Sequence, residues 1–301
     1  MTKRNIVSIS AFAAAAFLGT TAFAGTVVKT KASKAPVEVA KESCITGDIG
    51  VDFTSNYISR GVPQENQGVI AQPYSDLYFR IYEGSGALTK VTANLSTWAS
   101  VHTHRSPLSG PTTREWYEFD YSAGMTFQFG KLSVTPSFLS LLSPNGSFGD
   151  NYNFNLNLAY DDSDALGVFA LHPHVTFLHE IQGKAGTGTN KGQYYEIGIA
   201  PGHVAGPLTI TLPVTVGLGS SGFYGNPVTG GGNQTFGYVS AGVATEYALG
   251  FVPQCLGAWA LKSNVTFYHL GSNAAGAGIT NGVNNGDKNQ WAFGGGLVVR
   301  F

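Results

Sequence analysis

The last thirteen residues of the chain read Asn289-Gln-Trp-Ala-Phe-Gly-Gly-Gly-Leu-Val-Val-Arg-Phe301. Aromatic and aliphatic side chains occupy alternate positions, with Gly295 as the only gap, and small or polar side chains occupy the others. Because successive side chains of a strand point to opposite faces, the stretch predicts a strand with one apolar and one polar face. A strand that closes a transmembrane barrel fits this pattern, since no unpaired strand edge is tolerated in lipid.

Eleven earlier segments show the same alternation. In 207–218, for example, Leu, Ile and Val alternate with Thr, Pro and Gly. The spacing of three and four residues that an amphipathic helix needs is missing. Most segments approach the ~9–11 residues with which a tilted strand crosses the hydrocarbon layer. The twelve predicted strands cover 48–60, 69–82, 88–101, 115–129, 132–142, 152–161, 167–179, 193–201, 207–218, 236–249, 257–270 and 289–301.

The fifth segment is irregular. Val134 and Phe138 share one parity, whereas Leu139 and Leu141 fall on the other. A β-bulge near Ser140 would return both leucines to the apolar face, so we predict a bulge there.

The connections differ in length according to strand parity. Those after odd-numbered strands, such as 180–192 and 271–288, are long and rich in Gly, Asn and Ser, whereas Gly130–Lys131 and Asp162–Ala165 are short. Outer-membrane barrels with both termini in the periplasm have long outer loops and short inner turns. The predicted fold is therefore all-β: a transmembrane, antiparallel, up-and-down barrel of about twelve strands with both termini periplasmic.

Aromatic residues lie near both ends of the predicted strands, where the two membrane interfaces are expected. The outer set comprises Tyr57, Tyr117, Tyr152, Phe267 and Trp291, and the inner set comprises Phe129, Tyr160, Tyr247, Trp259 and Phe301.

The beginning of the chain has the features of a secretory signal. Lys3 and Arg4 precede an apolar run, and Ala22-Phe23-Ala24 supplies the small-x-small cleavage pattern. We predict a signal peptide over 1–24, a flexible periplasmic segment over 25–46 and the barrel over 47–301. The predicted localisation is the cell outer membrane.

Composition excludes some classes of partner. Without the signal the charge is 15 − 18 = −3, and no basic patch is present, so nucleic acid is not an expected partner. Aromatics and charged residues each make up 12% of the chain, whereas disordered chains are poor in aromatics and rich in charge.

The stretch Thr54-Ser55-Asn56-Tyr57-Ile58-Ser59-Arg60-Gly61-Val62-Pro63-Gln64 resembles the first-strand signature of the TorF-like porin family of Gram-negative bacteria. In that family a Ser-Asn-Tyr-x-x-Arg-Gly-x-x-Gln run opens the barrel. Pro63 stands where the family more often has Ser, and Leu95-x-x-Trp98 is a second similarity. The resemblance implies an outer-membrane barrel with porin activity and transfers no residue roles. Strand parity places Arg60 at the outer mouth of the first strand.

The predicted function is a passive channel for small polar solutes or ions. Twelve strands should leave a narrow lumen, because barrels of eight strands are filled by side chains and those of ~16–18 are open. Opposed charges in the lumen would either orient solutes or pair with each other and hold the wall together. The predicted pore-lining residues are Asp52, Asp76, Arg80, Lys90, Glu118, Asp120, His172, His174, Glu196, Glu246, Lys262 and Arg300.

Two other classes of function remain open. A non-conducting structural or adhesive barrel would use its Gly/Asn-rich loops as a binding surface. A lipid-modifying hydrolase would need a Ser or Cys nucleophile beside a His such as His269. The sequence indicates no catalytic or cofactor-binding residue, and we interpret the pairs His102-x-His104 and His172-x-His174 as polar residues rather than metal ligands.

Three further predictions concern the ends of the barrel. Cys44 and Cys255 both fall on the periplasmic side and are predicted to form a disulfide, with two free thiols as the alternative. Phe301 is predicted to serve as an assembly signal for the barrel-assembly machinery, with periplasmic chaperones as further partners. Outer-membrane lipid is the expected surroundings of the wall.

Overall fold

The computed structural model describes residues 43–104, 115–188, 190–220, 222–229 and 232–301. The predicted signal peptide and residues 25–42 of the predicted flexible segment lie outside the described residues. The first barrel strand begins at Ile45, inside that segment, because its backbone already pairs with the next wall strand, Ile45 opposite Phe79.

The described wall strands form one closed antiparallel barrel of twelve strands, which confirms the predicted all-β, antiparallel barrel. Closure comes from pairing the first strand with the last, from Asp48 opposite Arg300 to Thr54 opposite Gly294. The strands are β1 Ile45–Thr54, β2 Tyr57–Ser59, β3 Val62–Glu65, β4 Ile70–Glu83, β5 Lys90–His102, β6 Trp116–Phe129, β7 Leu132–Leu142, β8 Asn151–Tyr160, β9 His174–Gln182, β10 Gln193–Ile199, β11 Gly202–Ala205, β12 Leu208–Thr211, β13 Val214–Gly219, β14 Phe236–Ala248, β15 Ala258–Leu270 and β16 Asn289–Arg300. The described residues also form two α-helices, α1 Ser163–Leu166 and α2 Ser272–Thr280.

Among the described residues, no helix is both long and apolar enough to cross a membrane.

Prolines interrupt two neighbouring wall strands. β10 and β11 are separated at Ala200 and Pro201, and β12 and β13 at Leu212 and Pro213. Proline lacks the N–H that a ladder position needs, so each strand bends there. The predicted turn at 202–206 is therefore wrong, because β11 continues the wall and pairs with β12.

The predicted strand 167–179 is wrong at its beginning. Helix α1 ends just before it, a 3₁₀ turn occupies Gly167–Phe169, and β9 starts only at His174. The Asp162 carboxylate accepts hydrogen bonds from the backbone N–H groups of Leu171 and His172 and so folds the segment back on itself. The connection is consequently 161–173 and not the short turn Asp162–Ala165.

The predicted bulge at Ser140 is also wrong. β7 pairs with β8 in unbroken register, from Leu132 opposite Tyr160 to Leu141 opposite Asn151. Leu139 and Leu141 therefore stay on the inner face, where they are 2% and 3% exposed. The inner face accommodates these two leucines because they pack within a cluster of buried apolar side chains inside the barrel.

The exterior of the wall is apolar. Large outward side chains are exposed on strand after strand, while their neighbours in sequence are small or polar and buried. Exposed apolar area on this scale is stable only against another apolar phase, so this is the surface of a membrane-spanning barrel. The exposed residues include Ile49, Phe53, Leu95, Phe129, Phe154, Ile197, Val243, Leu261, Phe293 and Phe301.

Candidate functional site: the plugged lumen

A hairpin inside the barrel fills part of its lumen. We call residues 57–65 the plug hairpin; it consists of β2 and β3, which pair with each other in a separate two-stranded sheet. We call the end of the barrel that carries the long connections the loop end and the opposite end the turn end. β1 stops at Thr54, and the chain then turns into the lumen at the loop end instead of completing the predicted strand 48–60.

Arg60 and Gly61 form the tip of the plug hairpin with backbone φ angles of 49° and 80°. A two-residue hairpin turn of this kind needs positive φ at both central residues, which Gly adopts freely and Arg does not. A Cβ on residue 61 would also lie 2.7 Å from the Tyr238 ring. Arg60 is buried, 7% exposed, and does not lie at the outer mouth as predicted.

Three tyrosine hydroxyls bind the plug hairpin to its surroundings. Tyr57 donates to Glu118 Oε2 at 2.6 Å, and Tyr117 donates to Gln64 Oε1 at 2.6 Å. Tyr224, from the connection after β13, donates to the backbone carbonyl of Arg60 at 2.7 Å. Each bond is buried or partly buried, so breaking one leaves polar groups without water.

Two of these tyrosines were predicted to lie at the outer membrane interface, and that prediction is wrong. Tyr57 belongs to the plug hairpin, and Tyr117 turns inward at a register shift between β5 and β6, where it stacks on His102. Trp116 takes the outward position beside it and is 48% exposed.

Apolar side chains pack around the plug hairpin and fill the loop-end half of the lumen. Helix α2 packs against β3, and the Asn281 side-chain amide donates to the Pro63 carbonyl. Dense packing of this kind excludes water from the space that it fills. The cluster includes Tyr57, Ile58, Val62, Trp98, Tyr117, Leu139, Leu141, Leu178, Tyr194, Phe223, Tyr224, Tyr238, Tyr268, Leu270, Ala274, Ala275 and Ala277.

The turn-end half of the lumen is polar and carries ion pairs across the closing strands. Lys262 binds Asp52 at 2.7 Å and the Tyr74 hydroxyl at 3.0 Å. The Arg300 guanidinium donates two hydrogen bonds to the Glu246 carboxylate, of 2.6 and 2.8 Å, and its Nε lies 3.4 Å from Asp48 Oδ1. Small side chains such as Ser96, Ser122 and Ser137, together with Asn94 and Tyr78, line a cavity in this half.

The plug hairpin lies over a buried acidic pair. Glu118 and Asp120 occupy successive inward positions of β6, with exposures of 5% and 0%. The Asp120 carboxylate accepts no hydrogen bond from a donor among the described residues and lies against the Glu118 carboxyl group.

The remaining predicted lumen residues occupy different surroundings. Glu196 accepts hydrogen bonds from Tyr194 and Tyr238 at 2.5 and 2.8 Å. Asp76 is half-buried on the inner face of β4, and Lys90 begins β5 at the turn end. Arg80 pairs with the exposed Glu83 at 3.0 Å.

His174 and His172 are not a pair within the lumen. A Cβ on Gly198 would lie 2.4 Å from His174 Nε2, so the His174 ring covers that glycine on the inner wall. His172 lies outside the wall strands, in the 161–173 connection at the turn end, with φ of 48°.

The His172 connection gathers acidic groups. The His172 Nδ1 atom lies 3.8 Å from an oxygen of Asp161 and 3.8 Å from an oxygen of Asp162. One imidazole nitrogen and one oxygen from each carboxylate, atoms of the kind that bind metals, lie within 4.8 Å of one another. Burial acts to raise the pKa of both carboxyls, but hydrogen bonds from Ser163 to Asp161 and from Leu171 and His172 to Asp162 outweigh it and lower both pKa values. The two groups are therefore ionised at neutral pH.

The predicted disulfide is absent: Cys44 and Cys255 are free, exposed thiols. The Cys44 carbonyl accepts the Arg80 N–H at 2.8 Å, which holds it on the β4 side of β1, whereas Cys255 lies in the turn between β14 and β15. β16 separates β1 from β15, so two strand spacings of ~4.8 Å intervene, more than the ~4.4–6.8 Å between bonded Cα atoms.

We expect maleimide labelling of denatured, unreduced protein to modify two thiols per chain. Protection of both thiols would contradict the structure.

Comparison with known proteins gives a likeness of shape. No protein-family model and no curated protein matches the chain. The NanC porin matches with 10% identity and a TM-score of 0.47, over 83% of this chain and 98% of that one. An outer-membrane channel from Pseudomonas putida F1 matches with 11% identity and a TM-score of 0.46, over 90% and 100%. The translocator domain of the autotransporter NalP from Neisseria meningitidis matches with 11% identity and a TM-score of 0.40, over 87% and 89%. Likeness at this level carries no argument about function.

The plug is the feature that sequence reasoning missed. One signal was available, because apolar residues at inward positions cluster toward the loop ends of the strands. Trp98, Leu139, Leu141, Tyr238 and Tyr268 all break the rule that inward residues are polar. Such residues need an apolar partner within the lumen.

Proposed function

We propose that this protein is a porin-like channel of the outer membrane that passes small polar solutes or ions and is gated by the plug hairpin. The observation that carries the proposal is the division of the lumen. The turn-end half is polar and lined with charge, as a solute path requires, and the loop-end half contains a packed hairpin outside the wall. Wall pairing is complete without that segment, so its displacement leaves the barrel intact.

We further propose that the turn end faces the periplasm and that the chain belongs to the TorF-like porin family. Five residues of the resembling motif contribute to the plug: Asn56, Tyr57, Arg60, Gly61 and Gln64. Asn56 ties the base of the hairpin to β16 through the Gln290 side chain at 3.3 Å. A motif of which five of the six specified residues serve one substructure is consistent with a family-specific plug.

A non-conducting structural barrel is the second candidate, and the packed apolar cluster favours it. Porins contain a water-filled channel, whereas packed apolar side chains occupy the loop-end half of this lumen. The channel requires that the plug hairpin can be displaced from the lumen, whereas the structural barrel keeps it in place.

Planar-bilayer recording distinguishes them. We expect refolded wild-type protein to be mostly closed and a variant with residues 57–65 replaced by a Gly/Ser linker to show stable channels. The linker variant should still migrate differently before and after boiling, which shows that its barrel has formed. A formed barrel that never conducts would establish the structural candidate.

Phe301 is proposed to act as the assembly signal. Its side chain is 53% exposed on the lipid face, and its backbone N–H and carbonyl each pair with Gly47 at 3.0 Å. We expect Phe301→Asp to reduce outer-membrane yield severalfold, because a charge on the lipid face costs ~0–1 kcal/mol near the interface and the larger effect falls on assembly. Phe301→Leu, which keeps an apolar end, is the control. Immunoblots of membrane fractions report the result, and equal yields of the two variants would remove the proposed role.

A further inference from the structure

We propose that the solute of this channel is a small neutral polyol, a sugar or a sugar alcohol, and that it binds along an uncharged part of the inner wall. The proposal rests on the channel function and names the class of solute for it. We call this surface the amide–hydroxyl face; it consists of Asn94, Ser96, Ser122, Thr135, Ser137 and Asn155.

Four neighbouring strands, β5 to β8, carry the amide–hydroxyl face. Ser96 of β5 lies opposite Ser122 of β6, and Ser137 of β7 lies opposite Asn155 of β8. Gly124 leaves the wall bare between the serines, since a Cβ there would lie 2.6 Å from the Ser137 Cβ. Small side chains therefore leave room inside the wall at this place, and the cavity of the turn-end half lies there.

The amide–hydroxyl face can both donate and accept hydrogen bonds, because side-chain hydroxyl and amide groups do both. The Asn155 Oδ1 atom is buried and has no hydrogen-bond partner among the described residues. Asn153, the next inward residue of β8 toward the loop end, is 0% exposed, and neither polar atom of its amide has such a partner. Buried amide groups without partners are costly, so a ligand that supplies hydroxyl groups is favoured beside them.

Tyr78 of β4 lines the same cavity. Its ring offers a flat apolar surface and its hydroxyl a further hydrogen-bonding group. An aromatic ring beside amides and hydroxyls suits a polyol, which presents both C–H and O–H groups.

The charged groups of the turn-end half compensate one another instead of facing a solute. Lys262 binds Asp52, and Arg300 binds Glu246. Each pair is neutral as a unit and offers little attraction to a passing ion. An ion that loses water in a narrow lumen needs an opposite charge or several aligned dipoles, whereas a neutral polyol needs only hydrogen bonds in place of those to water.

Asp76 is a carboxylate that borders the amide–hydroxyl face. It lies opposite Ser96 on the inner face of β4 and shares a hydrogen bond with the Ser96 hydroxyl. Its charge would favour a cation over an anion at this place. A test of the solute class therefore needs a cationic probe as well as an anionic one.

The test uses the linker variant that lacks the plug hairpin, reconstituted in lipid vesicles. The probes share a polyhydroxylated carbon chain and differ in charge: sorbitol is neutral, gluconate is an anion and N-methylglucamine is a cation. Each probe is present at equal concentration inside and outside, and exchange of its isotope label is timed, so that no net charge moves. We expect sorbitol to exchange several times faster than either charged probe. If gluconate or N-methylglucamine exchanges as fast as sorbitol while the barrel conducts, the inference is overturned and the channel function stands.

Substitutions that do not narrow the lumen test the amide–hydroxyl face itself. Ser122→Ala and Ser137→Ala remove atoms, and Asn155→Leu keeps the number of heavy atoms. Together they should slow sorbitol exchange by on the order of tenfold or more, as expected for the loss of more than one hydrogen bond, with little change in potassium chloride current. Asn264→Leu, on β15 and outside the cavity lining, is the matched control, and Asp76→Asn removes the bordering charge. Both should leave sorbitol exchange unchanged; equal slowing by Asn264→Leu would overturn the assignment to this face.

Binding is also measured without transport, by saturation-transfer NMR of sorbitol with the linker variant in lipid nanodiscs. We expect sorbitol signals that disappear when Ser122→Ala, Ser137→Ala and Asn155→Leu are combined and persist in Asn264→Leu. If no formed barrel conducts or exchanges solute, the channel function is overturned and the sorbitol signals alone decide the binding face. Their presence would then support it, and their absence would overturn it.

Discussion

Replacing Glu246 by alanine is expected to destabilise the barrel by about 2–4 kcal/mol, whereas Glu83→Ala should change its stability by less than ~1 kcal/mol. Both residues pair with an arginine. Arg300 binds Glu246 through two short bonds, with side-chain exposures of 20% and 9%, while the partner of Arg80 is 64% exposed. Removing one member of a largely buried pair takes a short bidentate partner from the other charge at a place where little water reaches it.

The position of the pair adds to the expected effect. Arg300 lies on β16, Glu246 lies on β14, and the third partner, Asp48, lies on β1. The guanidinium therefore links strands on both sides of β16 at the seam where the barrel closes. Loss of Glu246 leaves Arg300 with Asp48 at 3.4 Å as its remaining carboxylate among these partners.

Urea unfolding of refolded protein in lipid vesicles, followed by tryptophan fluorescence, measures both variants against the wild type. The Glu83→Ala protein controls for the loss of a glutamate–arginine pair as such. Equal midpoints for the two variants would mean that the seam pair contributes no more than an exposed one.

The wall of this barrel could be predicted from sequence because its physical rule is local. Successive wall residues face lipid and lumen in turn, so apolar residues alternate with small or polar ones along a strand, as in Leu208–Thr211 and Val214–Gly219. The closing pair β1–β16 followed from the requirement that no edge remains open in lipid. Of the two roles left open for the lumen charges, pairing with each other describes the contacts of Asp52 and Glu246.

The plug could not be predicted in the same way, because its rule is not local. Residues 57–60 continue the alternation of β1, but in the lumen they contact residues distant in sequence: Tyr57 binds Glu118, and the Arg60 carbonyl accepts the Tyr224 hydroxyl. The strand predicted at 167–179 failed for a different reason. There the Asp162 carboxylate accepts the backbone N–H groups of Leu171 and His172, which a strand would instead pair with a neighbouring strand.

Gly61→Val is expected to release the plug hairpin while leaving the wall unchanged. Two costs add at this position. A β-branched residue at φ of 80° is strained by about 1–2 kcal/mol, and its Cβ would collide with the Tyr238 ring at 2.7 Å. The wall does not depend on residue 61, since the plug hairpin pairs only with itself among the described strands.

Trypsin provides the readout, because it cleaves after arginine and Arg60 is only 7% exposed in the closed structure. We expect cleavage after Arg60, identified by mass spectrometry, to accelerate by on the order of tenfold or more in Gly61→Val, since the open population grows by a factor of ten for each ~1.4 kcal/mol. Gly206→Val is the matched control: it has a similar φ of 62°, but an added Cβ meets nothing within 4 Å. The Gly206→Val variant has the same kind of backbone strain at positive φ but does not contact the plug hairpin, so it should leave the rate of cleavage after Arg60 unchanged. If both variants protect Arg60 as well as the wild type does, Tyr238 moves aside at little cost and the hairpin is held by its tyrosine bonds and not by close packing at its tip.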